Sequence, residues 1–273
     1  MGLSISSYLL WLVSSVLELS LCVLILHRRA QYRLPVFSAY ILLQLLTGCA
    51  GWFFFRRLGF WSHSFYYVST ALSGAAMLAE WLVTVELCYR GFRAYRGIWA
   101  LAWRLLLFLF VLFLLHAAYD ASKVPQKAGT MLVVLQRDLA MASATILVVI
   151  LLIERGYGSQ FDGFARQIAT GLCVYMIAVL LSNTLLIQWY AAHWPSLTNY
   201  PSSVQHLEML WNGARFIVLN MVLGLWCYAL RKPLPAPKPV PEVLPPETYG
   251  ELSPAINYRL RTLNARLMDF LKT

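Results

Sequence analysis

Trp99-Ala-Leu-Ala-Trp-Arg-Leu-Leu-Leu-Phe-Leu-Phe-Val-Leu-Phe-Leu-Leu-His-Ala-Ala118 decides the fold. Crossing the hydrocarbon core of a bilayer as a helix takes about 20 predominantly apolar residues, and this run has that length. Six more runs of the same kind flank it, so that spans are expected at 7–27, 35–55, 65–88, 99–118, 131–153, 168–191 and 209–230. The strands of a membrane barrel would alternate in short segments, and these runs do not, so helices are the reading. Composition agrees: 60% of residues are hydrophobic and 12% charged, whereas an ordinary soluble domain has roughly a quarter charged. The expectation is an all-α, polytopic membrane protein with seven transmembrane helices over 1–232. A proline-rich linker over 233–252 and a basic amphipathic helix over 253–273 follow.

Arginine sets the orientation. Arg28, Arg29 and Arg33 follow the first span, Arg90, Arg93 and Arg96 the third, Arg155 and Arg166 the fifth, and Arg231 and Lys232 the seventh. The opposite loops carry Arg56 and Arg57, then Lys123 and Lys127, and no Lys or Arg between 192 and 208. Basic loops stay in the cytoplasm, which predicts N-terminus out and C-terminus in. The net charge of +10 then reports topology and contact with anionic lipid, and no nucleic-acid partner is expected. The first span lacks a basic n-region and a small-x-small cleavage site, and is expected to be retained. Met1-Gly2-Leu3-Ser4-Ile5-Ser6 matches a myristoylation pattern formally, but the topology places this end outside. Interfacial belts are expected at both faces: Trp52 to Phe55, Trp61, Tyr66, Trp189 and Trp194 outside, and Tyr32, Tyr89, Trp99, Trp103 and Trp226 inside.

In the tail, the prolines of 233–246 predict a stiff extended spacer. Ser253-Pro254 then reads as a helix start. Ile256, Leu260, Leu263, Leu267, Phe270 and Leu271 recur at helical spacing among Arg259, Arg261, Arg266 and Lys272. Such a helix fits anionic inner-leaflet lipids, with self-association of copies as the alternative.

Polar groups inside the bilayer are costly and are therefore the places to seek function. Glu18, Gln44, Glu80, Asn183 and Asn220 fall near mid-depth. Ser73, Met77, Glu80 and Thr84 share one helical face, as do Ser14, Glu18 and Cys22. If these faces converge they make a ligand or proton site, and otherwise they supply interhelical hydrogen bonds. Glu86 and Arg90, one turn apart, read as an interfacial ion pair. Arg137, Asp138 and Arg215 lie towards the outer face and read as a structural charge network. His63, His116, His193 and His206, with Asp120, Asp138 and Glu208, face the same side. Without an HExxH or an i, i+4 histidine pair they are not assigned a metal. Cys22, Cys49, Cys88, Cys173 and Cys227 all lie in spans with no CxxC, and read as small packing residues.

Several activities are excluded by residue type. All five lysines lie outside the spans, so no intramembrane amine is placed to hold retinal as a Schiff base. A P-loop, a GxGxxG and a GxSxG elbow are all missing, and no cofactor is expected.

The chain resembles a group of uncharacterised seven-helix membrane proteins of acidobacterial genomes. The resemblance rests on Arg33-Leu-Pro-Val-Phe37-Ser-Ala-Tyr40, Glu80-x5-Glu86-x2-Tyr89, Leu135-Gln-Arg137, Trp211-Asn212, Trp226-x-Tyr228 and Leu263-Asn264-x2-Leu267. It implies the fold and a multi-pass place in a bacterial inner membrane, and carries no activity. The function expected is receptor-like or regulatory, binding a small or lipidic ligand within the bundle. The alternatives are a small proton-coupled transporter or channel subunit, using Glu18 and Glu80, and an intramembrane lipid-modifying enzyme.

Overall fold

The computed structural model describes residues 5–58, 62–92, 96–123, 127–157, 163–193 and 202–231, with parts of 258–269. Seven long helices account for nearly all of this: α1 (Ile5–His27), α2 (Pro35–Leu58), α3 (His63–Phe92), α4 (Arg96–Ser122), α5 (Lys127–Tyr157), α6 (Gly163–His193) and α7 (Ser202–Arg231). All seven are long and apolar enough to cross a membrane, and the chain is a multi-pass, all-helical membrane protein. Each expected span lies within one helix, but most helices run further. Length beyond the apolar run carries the chain into the interface, where arginine and aromatic side chains are at home. The spacer at 233–252 and the proposed helix start at Ser253 lie outside the described residues. Of the tail, residues 261–266 are helical.

Neighbours in sequence pack as neighbours in space, and α7 returns to α1 and closes the ring. Within it, α3 touches α2, α4, α5 and α6, whereas α4 touches only α3 and α5. Burial follows from this placement. On α3, Met77, Glu80, Thr84 and Leu87 turn inward in helical register. On α4 the stripe Leu101, Leu105, Phe108, Leu112 and Leu115 faces outward. In water such a stripe would be a liability; in lipid it is the expected surface.

At the arginine-rich end the chain accounts for its helix termini with side chains. The first four N–H groups of a helix have no partner within it. In α2, Pro35 brings no N–H, and Ser38 N–H reaches the Leu34 carbonyl at 3.0 Å. The two between them, Val36 and Phe37, donate to the Glu86 carboxylate of α3 at 3.3 and 2.9 Å. Glu86 was expected to pair with Arg90. Its oxygens also accept from these backbone amides, with Arg90 acting on it electrostatically, since a positive helix N-terminus favours a carboxylate. Arg28 donates to the last carbonyl of α7, Arg231 O, at 2.9 Å. This fixes the α1–α2 corner, where Arg29 holds a left-handed φ of 54°, a strained conformation for a residue with a Cβ. Glu154, almost wholly buried, pairs with Arg166 and ties α5 to α6.

Above this end lies an aromatic plug. Phe37 meets Trp226 edge-on, with ring centroids 5.1 Å apart, and Phe164 at 6.4 Å. Trp226 was expected in the interfacial belt, but it is 0% exposed. It is drawn inward because α6 offers Gly171 at that level, and small residues let helices and large rings approach closely. At the opposite end the belt is present: Trp11 stacks on Trp52 at 5.0 Å, and Arg56 lies over the Trp52 ring.

A Cβ added at Gly171 would stand 2.5 Å from Trp226 Nε1 and 3.1 Å from Val222 Cγ1. Gly171→Ala is therefore expected to destabilise the protein by about 1–3 kcal/mol, the usual cost of overpacking. Gly213→Ala, where an added Cβ meets nothing within 4 Å, should not. Thermal unfolding of the two variants in detergent checks the contrast.

Candidate functional site: a polar centre inside the helix ring

Tyr40 and Gln44 are one turn apart on α2 and turn towards α3. Gln44 Nε2 donates to the Tyr40 hydroxyl at 3.0 Å, and that hydroxyl lies within hydrogen-bonding reach of the Glu80 carboxyl. Glu80 is 5% exposed, near the middle of α3. Across the ring, α7 brings Arg215 close enough to act on Glu80 electrostatically. Arg215 also stands near Tyr175 of α6, and its Nη1 donates to Asn183 Oδ1 at 3.4 Å. Asn183 Nδ2 then donates to Gln136 Oε1 of α5 at 3.3 Å. Polar groups from five helices therefore gather at mid-depth, one carboxyl, one guanidinium, two tyrosine hydroxyls and three amides.

The one carboxyl and the one guanidinium act on each other electrostatically, which offsets part of the cost of burying them. Tyr40, Tyr175 and Asn183 are all buried. Polar groups so placed can exchange internal partners for those of a ligand without moving charge through hydrocarbon, which is the chemistry the site offers.

The structure divides the expected mid-depth set. Glu80, Gln44 and Asn183 meet in the centre. Glu18 stands on α1 beside it, 7% exposed, and acts on Tyr40 and Tyr175 only through space. Asn220 faces α1, with Nδ2 donating to Leu10 O at 3.4 Å. Of the expected face on α3, Ser73, about two turns from Glu80, is exposed.

Arg215 does not join Arg137 and Asp138. Helix α7 packs on α1 and α6 but not on α5. Asp138 is already engaged by Arg137 Nε at 2.9 Å and by His116 Nδ1 at 2.7 Å. His116 Nε2 faces Asp120 Oδ2 at 3.6 Å, and Asp120 accepts from Lys123 at 3.0 Å. That hydrogen bond holds the Lys123 ammonium above its usual pKa. Among the described residues no three His, Cys, Asp or Glu side chains meet as metal ligands. The side chains of His193, His206, Glu208, Trp211 and Asn212 lie outside the described residues. The five cysteines are free; Cys173 and Cys227 point their thiols at carbonyls of facing helices.

Tyr40, Tyr175 and Gln136 are the members that sequence reasoning missed. Tyrosine in an apolar run reads as core or belt, and only the i, i+4 spacing of Tyr40 and Gln44 marked a polar face. No family model matches the chain, and no curated protein or solved structure proves similar to it.

Breaking one half of a buried pair costs more than removing both halves. Arg215→Leu, which leaves Asn183 and Glu80 without it, is expected to lower stability by about 1–3 kcal/mol, and Glu80→Leu added to it should restore part of the loss. A double-mutant cycle of thermal unfolding measures the coupling, and additive losses would show that the two groups do not interact.

Proposed function

We propose that this protein is a receptor-like or regulatory component of a bacterial inner membrane, oriented N-terminus out and C-terminus in. It binds a small or lipidic ligand at the Glu80–Arg215 centre. One observation carries the reading: a carboxyl and a guanidinium, flanked by the hydroxyls of Tyr40 and Tyr175, are focused at one level within an otherwise apolar ring. A bundle that needed only to pack has no use for so many desolvated groups at one level. Groups of both charge signs fit an amphiphile whose headgroup carries an anion for Arg215 or a hydrogen-bond donor for Glu80. Ligand exchange at a junction of five helices would shift their packing, which is how a signal would reach the cytoplasmic ends.

The transporter reading has less behind it. Among the described residues the helices are continuous, without the paired broken helices of many carriers. A lipid-modifying enzyme has no nucleophile and base placed together in its favour. The tail helix serves this reading as a cytoplasmic element on anionic lipid, with each Lys or Arg at that surface contributing about 1 kcal/mol.

Native mass spectrometry of the purified protein is expected to show a co-purifying small molecule or lipid. Its occupancy should fall at least severalfold in Glu80→Gln and Tyr40→Phe while both variants stay folded. Equal occupancy in all three would overturn the site. For orientation, a cytoplasm-active reporter fused after Lys232 should give signal, and the same reporter within 192–206 should not.

A further inference from the structure

Glu18 is the one buried carboxyl near the centre with no cation beside it: no basic side chain acts on it, and burial is its dominant environment. A carboxylate in hydrocarbon without compensation is too costly to keep, so something must neutralise it. The surrounding atoms indicate what.

In α1, Ser15 and Ser20 each donate to the carbonyl one turn back, Trp11 O and Val16 O, at 3.0 and 2.7 Å. Ser14 does not. The carbonyl it would use, Leu10 O, accepts from the Asn220 amide of α7 instead. The Ser14 hydroxyl, in a residue 4% exposed, is left without a partner, and so is Asn220 Oδ1. Unpartnered buried oxygens are rare and mark a missing companion. Glu18 follows Ser14 by one turn on the same face, where i and i+4 side chains are neighbours.

We propose that Glu18, Ser14 and Asn220 form a sodium site between α1 and α7, with the Leu10 carbonyl as a fourth oxygen. The donors are all oxygen, the set that hard cations select. There is one negative charge, so a monovalent ion leaves the site neutral, whereas a divalent ion would leave a net positive charge in the bilayer. A proton on Glu18 would neutralise the carboxyl equally well. However, one carboxyl O–H can donate to only one of the two unpartnered oxygens, Ser14 Oγ and Asn220 Oδ1. A cation, unlike a proton, can be shared by several such oxygens. On the far side, Glu18 Oε2 and Trp11 Nε1 each lie 4.0 Å from where a Gly48 Cβ would be, so α2 crowds neither group. The site is separate from the Glu80–Arg215 centre, and its test does not depend on that centre binding a ligand.

The experiment is thermal unfolding of the purified full chain in nanodiscs at pH 8, titrated with sodium chloride against choline chloride at constant ionic strength. A ligand that binds only the folded state raises the unfolding temperature, so sodium should raise it saturably and choline should not. Glu18→Gln should abolish the sodium response. Ser14→Ala and Asn220→Leu should each raise the half-saturating sodium concentration about tenfold, the equivalent of one weak ligand contact. Should Glu18→Gln not fold, Ser14→Ala decides alone, and an unchanged half-saturation would overturn the proposal. An equal response to choline, or a sodium response surviving in Glu18→Gln, would also overturn it. So would an unfolding temperature that moves with pH while sodium adds nothing at any pH, which would make Glu18 a proton site only.

Discussion

Two amide hydrogens at the start of α2 illustrate the constraint that governs the whole molecule. Where such a helix end is buried away from water, the protein itself must accept from them. Glu86, two turns from the end of α3, supplies its carboxylate to Val36 and Phe37, and α2 and α3 are thereby fixed in register. Arg28 on the last carbonyl of α7 fixes α1 against α7 in the same way. At α4 the described part of the tail does so: Asn264 Oδ1 accepts from Gly97 N–H at 2.9 Å. Three helix ends at one face of the membrane are closed by side chains from elsewhere in the chain. Apolar surface alone would not choose this arrangement, since lipid tails receive leucine as well as another helix does.

Further into the bundle the same constraint produces a division of labour. The plug of Phe37, Phe164 and Trp226 packs tightly because Gly171 lets the indole approach. Above it, hydrogen bonds join Arg215 of α7 to Asn183 of α6 and Asn183 to Gln136 of α5, with Gln44 and Tyr40 bonded to each other on α2. A packed plug resists change in one direction, and a polar network can be rearranged by exchanging partners at little cost. That contrast supports placing ligand exchange in the network and relay through the helix ends. The α1–α7 pair adds a second, simpler polar locus, where one carboxyl and orphan oxygens stand apart from any cation.

Much of this was legible in the residues. Seven apolar runs of spanning length, with arginine accumulating in alternate loops, specify seven helices and the pairing of their ends. The intramembrane positions of Glu18, Gln44, Glu80, Asn183 and Asn220 follow from counting along those runs, because a polar residue stands out where nearly everything else is apolar. What counting along one helix cannot supply is the partner on another. Arg215 reads as an outer charge near Arg137 and Asp138, yet among the described residues α7 makes no contact with α5, and the guanidinium turns to Asn183, Tyr175 and Glu80. Trp226 reads as an interfacial anchor, and a glycine on α6, distant in sequence, makes it core. Glu86 has a local basic neighbour one turn away, and in addition caps a helix N-terminus nearly fifty residues earlier.

The division has one physical reason. Length, hydropathy and charge asymmetry are properties of segments, and the bilayer reads segments one at a time as they enter it. They determine that this chain is a seven-helix membrane protein, and which groups are stranded in hydrocarbon. Side-chain pairing is decided by the order of helices around the ring and by the rotation of each about its own axis. Both depend on small residues such as Gly171 and on caps such as Glu86, whose effect exists only once two helices meet. The tertiary structure alone therefore decides that Glu80 has a guanidinium opposite it and that Glu18 has none.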